Sequence, residues 1–264
     1  MQNKVLVITL SLLTCLALVL PADAQSRAGS PVHVPPPGYV DAGAIASSAR
    51  PLLSAFGDRI QRPGKERVTL MGKLTDASGT FDVSLVWEVP GRFRLDRSDK
   101  PGRPLICDEA GAWNNGPAIL PREAETLESL FDDTSESFFY GMVQGTASRF
   151  LGNRFRADNG KTPNYQGPWF DVYEVFAVVR GPQGISKRRK VFLFDSQTAL
   201  LSRVDYTSSP SVHVSTEISG WIHLNGQAHP GKVVRKVNGG AVMTVQFTGV
   251  SVGPSQSDGV FPGH

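Results

Sequence analysis

The stretch KVFLFDSQTALLSRVDY, residues 190–206, consists of two apolar runs separated by a short polar segment. The polar segment begins at Asp195, whose side chain can accept hydrogen bonds from the backbone that follows it. Ser196 and Gln197 span the segment and Thr198 closes it. Apolar residues lie on both sides, namely Phe192, Phe194, Leu200 and Leu201. The pattern predicts a β-hairpin with a structural role.

Strands of the same kind are predicted on both sides of this hairpin. Apolar and polar residues alternate in residues 68–74 and again in residues 81–87, with the turn sequence DASG between them. Two further strands are predicted in RFRLD and LICDEAGAWNNG, at 92–96 and 105–116. After a Gly/Asn-rich passage the strand segments are PWFDVYEVFAVVR, RKVFLFD, ALLSRVDYT, VHVSTEISGWIHL, KVVRKVN and AVMTVQFTGVSV. The total is about ten strands in an antiparallel order.

A central helix is predicted from about residue 122 to 142. Pro121 suits a helix start, and Glu123 and Glu125 favour the positive end of the helix dipole. An apolar stripe follows at helical spacing, formed by Leu127, Leu130, Phe131 and Phe138. Core packing is the first interpretation of this stripe, and contact with a ligand is the alternative.

The amino terminus has the organisation of a secretory signal peptide. A lysine precedes an apolar run from Val5 to Leu20, and an A-x-A cleavage sequence follows at 22–24. We expect residues 1–24 to be removed and the chain to be exported to the periplasm. Lipid anchoring at Cys15 is the less favoured alternative, because the apolar LALVL after it would lie exposed at the new terminus.

The exported chain is expected to have a linker followed by one domain. Residues 25–40 are rich in Pro, Ser and Gly, which predicts a flexible segment. Residues 41–264 are numerous enough for a single domain with its own core. Residues 42–60 have apolar side chains at roughly helical spacing, although Pro51 must break or kink that helix.

The charge balance gives no indication of a strongly charged partner. The chain has 27 basic and 24 acidic residues, a net charge of +3, which is too small to indicate nucleic acid or an anionic membrane surface as a partner. The dense basic run Lys187–Lys190 is interpreted as a solvated shoulder of a hairpin that protects a sheet edge. A weak contact with an anion or a lipid headgroup is the alternative.

Motifs of catalytic or metal sites are absent from the sequence. There is no G-x-S-x-G elbow and no phosphate-binding loop. His213 and His223 could face each other across strands, but no carboxylate or cysteine completes a metal set. We therefore expect no enzyme, no metal and no cofactor, with an unrecognised hydrolase as the minority alternative.

The remaining reactive side chains have plain interpretations. Cys107 precedes two acidic residues that disfavour a thiolate. Once Cys15 is removed with the signal peptide, Cys107 has no partner for an internal disulfide. Asp132, Asp133 and Glu136 cluster on the central helix and are expected to form its solvated face.

The order of helix, antiparallel strands, central helix and further strands resembles the LolA/LolB family of lipoprotein carriers and lipoprotein-sorting proteins. Short segments carry the resemblance: VPGRFRLD at 89–96, DEAGAWNNG at 108–116, the hairpin at 192–203, LNGQAHPGKVV at 224–234 and VFP at 260–262. Ala199 departs from the family pattern, which usually has glycine at this point of the hairpin. Each segment is short, but together they extend over most of the chain.

The resemblance implies an α+β fold, mainly antiparallel β. A strongly curved, incomplete β-barrel of about ten strands would wrap around the central helix. It also implies a periplasmic carrier whose concave face receives a lipid or the acyl chains of a lipoprotein, with an envelope membrane protein as a further candidate partner. The alternative is a non-enzymatic envelope scaffold whose concave face is filled by its own side chains.

The candidate ligand-binding residues follow from alternation along the early strands and from the helical stripe. An acyl chain offers no hydrogen bonds, so apolar walls are required on both sides. The expected wall consists of Phe81, Leu85, Trp87, Phe93, Leu95, Leu127, Phe131 and Phe138. No nucleic-acid partner is expected, and the sequence leaves the ligand and the oligomeric state open.

Overall fold

The computed structural model describes residues 49, 51–56, 66–88, 91–108, 111–114, 119–143, 148–255 and 260–261. The predicted signal peptide, with Cys15, and the predicted linker at 25–40 lie outside these residues.

The described chain contains fourteen strands. The first five precede the central helix: β1 (Glu66–Asp76), β2 (Gly79–Glu88), β3 (Arg92–Arg97), β4 (Leu105–Cys107) and β5 (Ala112–Trp113). The next five follow it: β6 (Ser148–Arg156), β7 (Trp169–Gly181), β8 (Gly184–Asp195), β9 (Leu201–Ser209) and β10 (Val212–Ser219). The last four are β11 (Ile222–Leu224), β12 (Gln227–His229), β13 (Lys232–Val237) and β14 (Gly240–Pro254).

Twelve of these strands form one antiparallel sheet. Its order is β5-β4-β3-β2-β1-β14-β13-β10-β9-β8-β7-β6, and β11 pairs with β12 separately. The predicted strand at 105–116 is two short strands, and the one at 212–224 is divided at Gly220, where φ is +63°. β6 lies in the passage for which the sequence pattern indicated no strand.

The central helix is present where it was predicted but has three parts. They are α1 (Pro121–Leu127), a π-helical segment (Glu128–Asp132) and α2 (Ser135–Val143). The Glu123 carboxylate accepts a hydrogen bond from the backbone N–H of Leu120 at 2.9 Å and so stabilises the start of α1. None of the described helices is long and apolar enough to span a bilayer.

The sheet curves around the central helix, because strands far apart in the sheet contact the same short helical segment. The Phe131 ring packs 5.5 Å from the ring of Phe93 on β3, whereas Asp133 contacts Lys190 on β8. In a flat sheet β3 and β8 would be about 34 Å apart, at about 4.8 Å for each step between strands. The fold is therefore the open, strongly curved and mainly antiparallel sheet that the sequence predicted.

Most of the buried apolar residues belong to two large clusters. The first cluster joins β1–β4, β13 and β14 to α1 and the π segment, and includes Leu70, Leu85, Phe93, Leu127 and Val245. The second cluster joins β7–β10 to α2, and includes Phe138, Tyr173, Phe192, Phe194 and Val204. Residues 51–56 are helical and add Leu52 and Phe56 to the second cluster, so this segment packs beside α2.

The hairpin at 190–206 has the predicted turn. One carboxylate oxygen of Asp195 accepts hydrogen bonds from the backbone N–H groups of Gln197 and Thr198, at 3.0 and 2.8 Å, and from the Thr198 hydroxyl at 2.9 Å. Ala199 follows with φ of +60°, in the left-handed region that favours glycine. The turn thus keeps its geometry although alanine occupies the strained position.

Candidate functional site

Seven of the eight predicted wall residues lie together, and they are packed against one another. Six of the eight belong to the first cluster and are buried: Leu85, Trp87, Phe93, Leu95, Leu127 and Phe131. Trp87 stands opposite Phe93, and Leu85 opposite Leu95, across the β2–β3 pair. Phe81 is partly buried against the same cluster. The cavities that touch Trp87 and Leu95 have a volume of about 10 Å³ each, close to that of one water molecule.

Phe138 is separate from the other seven residues. It lies in the second cluster, where its ring packs 5.3, 5.1 and 4.8 Å from the rings of Tyr173, Phe192 and Phe194. The predicted wall is therefore distributed between two clusters on either side of the π segment.

An apolar cavity of about 100 Å³ lies between the central helix and strands β7 and β8. Its apolar lining includes Phe131, Phe138, Tyr140, Val175, Val178 and Phe192. Gly141 and Ala177, two small residues, also line it, and Asp132 and Arg180 form a polar edge. Two of the eight predicted residues, Phe131 and Phe138, thus border space that a ligand could enter.

A larger and more polar pocket, about 430 Å³, opens near the start of α1. Its lining mixes basic and acidic side chains, including Arg97, Lys100, Arg122, Arg235, Asp99 and Glu123. Because these charges require water or ionic partners, the pocket suits polar contents more than an acyl chain.

Buried charges lie between the π segment and the sheet, and the sequence interpretation missed them. Residues 126–135 are all buried, because side chains of β3, β8, β10 and β13 pack against this part of the helix. The prediction that Asp132 and Asp133 form a solvated face is therefore wrong, while Glu136 is half-buried. The sequence gives no local signal for this, since acidic residues on a helix are usually solvated.

Lys190 is the centre of the buried charges. Its ammonium group is fully buried and lies 2.5 Å from the Asp133 carboxylate and 2.9 Å from that of Glu128. The Thr216 hydroxyl donates a hydrogen bond to the other Asp133 oxygen at 2.6 Å. A buried cation is thus paired with two carboxylates of the helix, as buried charges require.

Glu128 also has three other partners on the sheet. Arg188 and Arg235 contact its carboxylate at 2.9 and 3.4 Å, and the Tyr206 hydroxyl donates a short hydrogen bond to it. Burial opposes ionisation of Glu128, but the positive charge of Lys190 and the bond from Tyr206 outweigh it and lower the pKa. Glu128 is therefore ionised across the neutral range.

Lys190 and Tyr206, two partners of Glu128, keep their ordinary protonation states. Burial lowers the pKa of Lys190, but the carboxylates of Asp133 and Glu128 outweigh it, so the pKa lies above the usual value and Lys190 stays charged. Burial and the same carboxylates raise the pKa of Tyr206, which stays a neutral donor.

Asp132 links this charged region to the apolar cavity. The Arg180 guanidinium donates a hydrogen bond to its carboxylate at 2.6 Å and packs 4.9 Å over the Phe131 ring. Burial raises the pKa of Asp132 to about 6, against the opposing pull of Arg180. Its charge consequently changes close to neutral pH.

The predicted solvated shoulder at Lys187–Lys190 is confirmed for two of its four residues. Lys187 and Arg189 are exposed, as expected of a solvated shoulder. Lys190 and Arg188 point towards the helix, so the prediction is wrong for them. The alternation along β8 contains the signal, because both residues share one face of the strand with Phe192 and Phe194.

Other candidates for reactive groups have structural surroundings. Cys107 is buried, and burial, more than its acidic neighbours, raises the pKa of its thiol. His213 lies on β10 and His223 on β11, which belong to different sheets. Among the described residues no group of three His, Cys, Asp or Glu side chains could hold a metal ion.

Comparisons with known proteins find similarity of structure alone. No family model matches the sequence, and no curated protein sequence matches it. A LolA superfamily protein from Nitrosomonas europaea superposes with a TM-score of 0.52 at 11% identity, covering 85% of this chain and 98% of its own. A domain described as an outer membrane lipoprotein-sorting protein, from Vibrio parahaemolyticus, gives 0.52 at 11% identity, covering 84% and 97%. These superpositions, which cover most of both chains, show that the chain has the LolA-like fold.

Proposed function

We propose that the protein is an exported envelope carrier or binding protein that holds an apolar ligand between α2 and strands β7 and β8. The apolar cavity of about 100 Å³ at this place carries the proposal. A lipid or the acyl chains of a lipoprotein fit its chemistry, because such chains are attracted mainly by the removal of apolar surface from water. The proposal assigns no chemical step to the site.

The dimensions of the cavity set a condition on this function. Sites for small organic ligands usually have volumes of about 300–1,000 Å³, and this cavity is smaller. A complete acyl chain therefore requires α2 to move outward from the sheet. The contacts that would separate are apolar ones, such as those of Phe138 with Phe192 and Phe194.

Location in the periplasm is part of the same proposal. It is supported by the signal-peptide pattern at 1–24 and by the fold, which is also that of a domain described as sorting outer membrane lipoproteins. In this proposal Phe131 and Phe138 belong to the ligand site, and the other five buried residues belong to the core, namely Leu85, Trp87, Phe93, Leu95 and Leu127.

The test is lipid extraction from the purified exported chain, from residue 25 onward, together with uptake of a fluorescent fatty acid. Ala177→Phe fills the cavity and should abolish uptake while the protein stays folded. Ala241→Phe makes the same change at an exposed position on β14 and should leave uptake unaltered. If the unaltered protein takes up no probe and extraction yields no lipid, the carrier function is contradicted.

A second candidate is a scaffold or interaction module whose concave face is filled by its own side chains. The close packing of Leu85, Trp87, Phe93 and Leu95, with only about 10 Å³ beside Trp87, favours this candidate. It predicts capture of an envelope protein by the full chain with no lipid bound. Ala177→Phe should leave that capture unchanged, in contrast to its effect on fatty-acid uptake.

A further inference from the structure

The positive charge of the chain is concentrated in three strands. Residues 148–195, which contain β6, β7 and β8, have nine Lys and Arg and four Asp and Glu. The rest of the chain has 18 basic and 20 acidic residues. The small overall charge therefore conceals a basic region at one end of the sheet.

Part of this positive charge reaches the solvent. Lys190 and Arg180 face inward and are paired with carboxylates of the central helix. The exposed basic residues are Arg154, Lys161, Lys187 and Arg189. Glu174, an acidic residue of the same region, is buried beneath Arg149 and Arg189, so it offers little negative charge to a partner.

The same region exposes apolar side chains. Seven large apolar residues are exposed in the described chain, and four of them lie here: Phe150, Leu151 and Phe155 on β6 and Ile185 on β8. Phe150 packs 4.8 Å from the buried ring of Tyr173, on the inner face of the sheet, whereas Phe155 stands opposite Phe170 on the other face. Leu151 and Phe155 are two exposed apolar residues within five positions of one strand, and with Arg154 they are called the edge patch below.

The backbone of β6 does not suit pairing with another strand. β6 is the last strand of the sheet, and its pairing with β7 is irregular between Phe150 and Gly152 and between Gly152 and Phe155. Arg154 has φ of +60° and Gly152 has φ of +130°. Bulged edges of this kind prevent the addition of a strand, so the edge patch presents its side chains rather than its backbone.

Exposed aromatic and aliphatic side chains beside arginine and lysine are complementary to a membrane surface with negative charge. The apolar groups enter the boundary between headgroups and acyl chains, and the basic groups bind phosphates. Exposed apolar and basic side chains also occur together on β8, at Ile185, Lys187 and Arg189. These three residues lie about 10–24 Å along β8 from Phe192, which is in register with Phe150 of β6.

We propose that the edge patch is a peripheral binding surface for bilayers that contain anionic phospholipids. Val175 lines the apolar cavity and pairs with Ser148 at the start of β6, so the surface would bring the cavity close to the lipid. The surface is independent of the proposed carrier function, since it can bind a membrane whether or not a ligand enters the cavity.

The experiment is co-sedimentation of the exported chain, from residue 25 onward, with vesicles of phosphatidylglycerol and phosphatidylethanolamine, and with vesicles of phosphatidylcholine alone. Binding is expected only to the anionic vesicles, and added salt should weaken it. Leu151→Ser combined with Phe155→Ser should reduce binding by about tenfold, because it removes the groups that enter the bilayer. Arg154→Glu should reduce it without removing apolar surface.

Matched controls lie on other strands. Met71→Ser combined with Val242→Ser removes two exposed apolar residues of β1 and β14, and Arg122→Glu reverses an exposed charge on α1. Both should bind vesicles as the unaltered protein does, and thermal unfolding should show every variant folded. Equal binding to both kinds of vesicle, no binding to either, or equal losses in patch and control variants would overturn the proposal. So would an association of copies that the Leu151 and Phe155 changes dissociate.

Discussion

The two sides of the π segment are packed in different ways. On the side of β1–β4 the contacts are apolar, as between Phe131 and Phe93. On the side of β8–β10 the π segment is held by ion pairs and hydrogen bonds to Lys190, Tyr206 and Thr216. Apolar packing has little directional preference, whereas ion pairs require particular geometry. The hypothesis that follows is that the first side supplies most of the stability and the second fixes the rotation and height of the helix.

The largest effect is expected when Lys190 is replaced by methionine. Lys190→Met leaves Glu128 and Asp133 buried without their shared cation, which should lower the free energy of unfolding by about 3–5 kcal/mol. Lys187→Met is the control, because Lys187 is exposed on the same strand, and it should change stability by less than about 0.5 kcal/mol. Urea unfolding measures both, and equal stability of the two variants would contradict the central place of Lys190.

Trp87→Ala tests how much stability the apolar packing beside the π segment contributes. Removing this side chain from a filled core should cost about 3 kcal/mol, the lower end of the usual range for tryptophan, because the buried indole N–H has no hydrogen-bond partner to lose. A much smaller loss, accompanied by weaker uptake of a fluorescent fatty acid, would indicate that Trp87 borders a ligand pocket after all.

The third prediction concerns pH. In the folded protein Asp132 holds its proton up to about pH 6, whereas its ordinary pKa in the unfolded chain is 3.8. Ionisation of Asp132 therefore lowers the free energy of unfolding as the pH rises from about 4 to about 6. Above pH 6 this loss is complete. The difference in free energy of unfolding between Asp132→Asn and the wild type should therefore increase by about 2 kcal/mol, in favour of the variant, from pH 4 to pH 7.

The pH dependence of this difference isolates Asp132, because the other titrating groups are present in both the wild type and the variant. Asp132→Ala removes the same carboxyl group and should give the same slope in urea unfolding at a series of pH values. Different slopes in the two variants would show that another group titrates in this range.

The smallest effect is expected at the hairpin, outside both sides of the helix. Asp195→Ala removes an acceptor of three hydrogen bonds on an exposed turn and should lower the free energy of unfolding by about 1 kcal/mol. Asp195→Asn keeps a side-chain oxygen and should lose less. If Asp195→Ala remained fully stable but lost ligand uptake, Asp195 would belong to a site and not to a turn.

The sequence predicted the features that depend on local pattern. Alternation in β2 and β3 identified Leu85, Trp87, Phe93 and Leu95 as one buried face, and the Asp195 turn followed from its own side chain. These succeed because the periodicity of a strand and the geometry of a turn are fixed within a few residues.

Features that depend on distant parts of the chain were missed. Asp132 and Asp133 were predicted to be solvated, because no residue of the helix indicates that strands distant in sequence pack against it. Lys190 was assigned to a polar shoulder because adjacent basic residues concealed the alternation of β8. β6 was not recognised at all, because Gly152 and the irregular pairing interrupt its period, although its exposed side chains form the edge patch.

The pairing of β1 with β14 has a consequence for how the chain acquires its structure. Glu66 pairs with Pro254, so the two halves of the large sheet are joined only by segments near opposite ends of the described sequence. Bringing such distant segments together costs chain entropy before their contacts contribute any stability, and this slows folding. The sheet cannot be completed until β14 has been synthesised, so β1 stays without this partner until the described chain is almost complete.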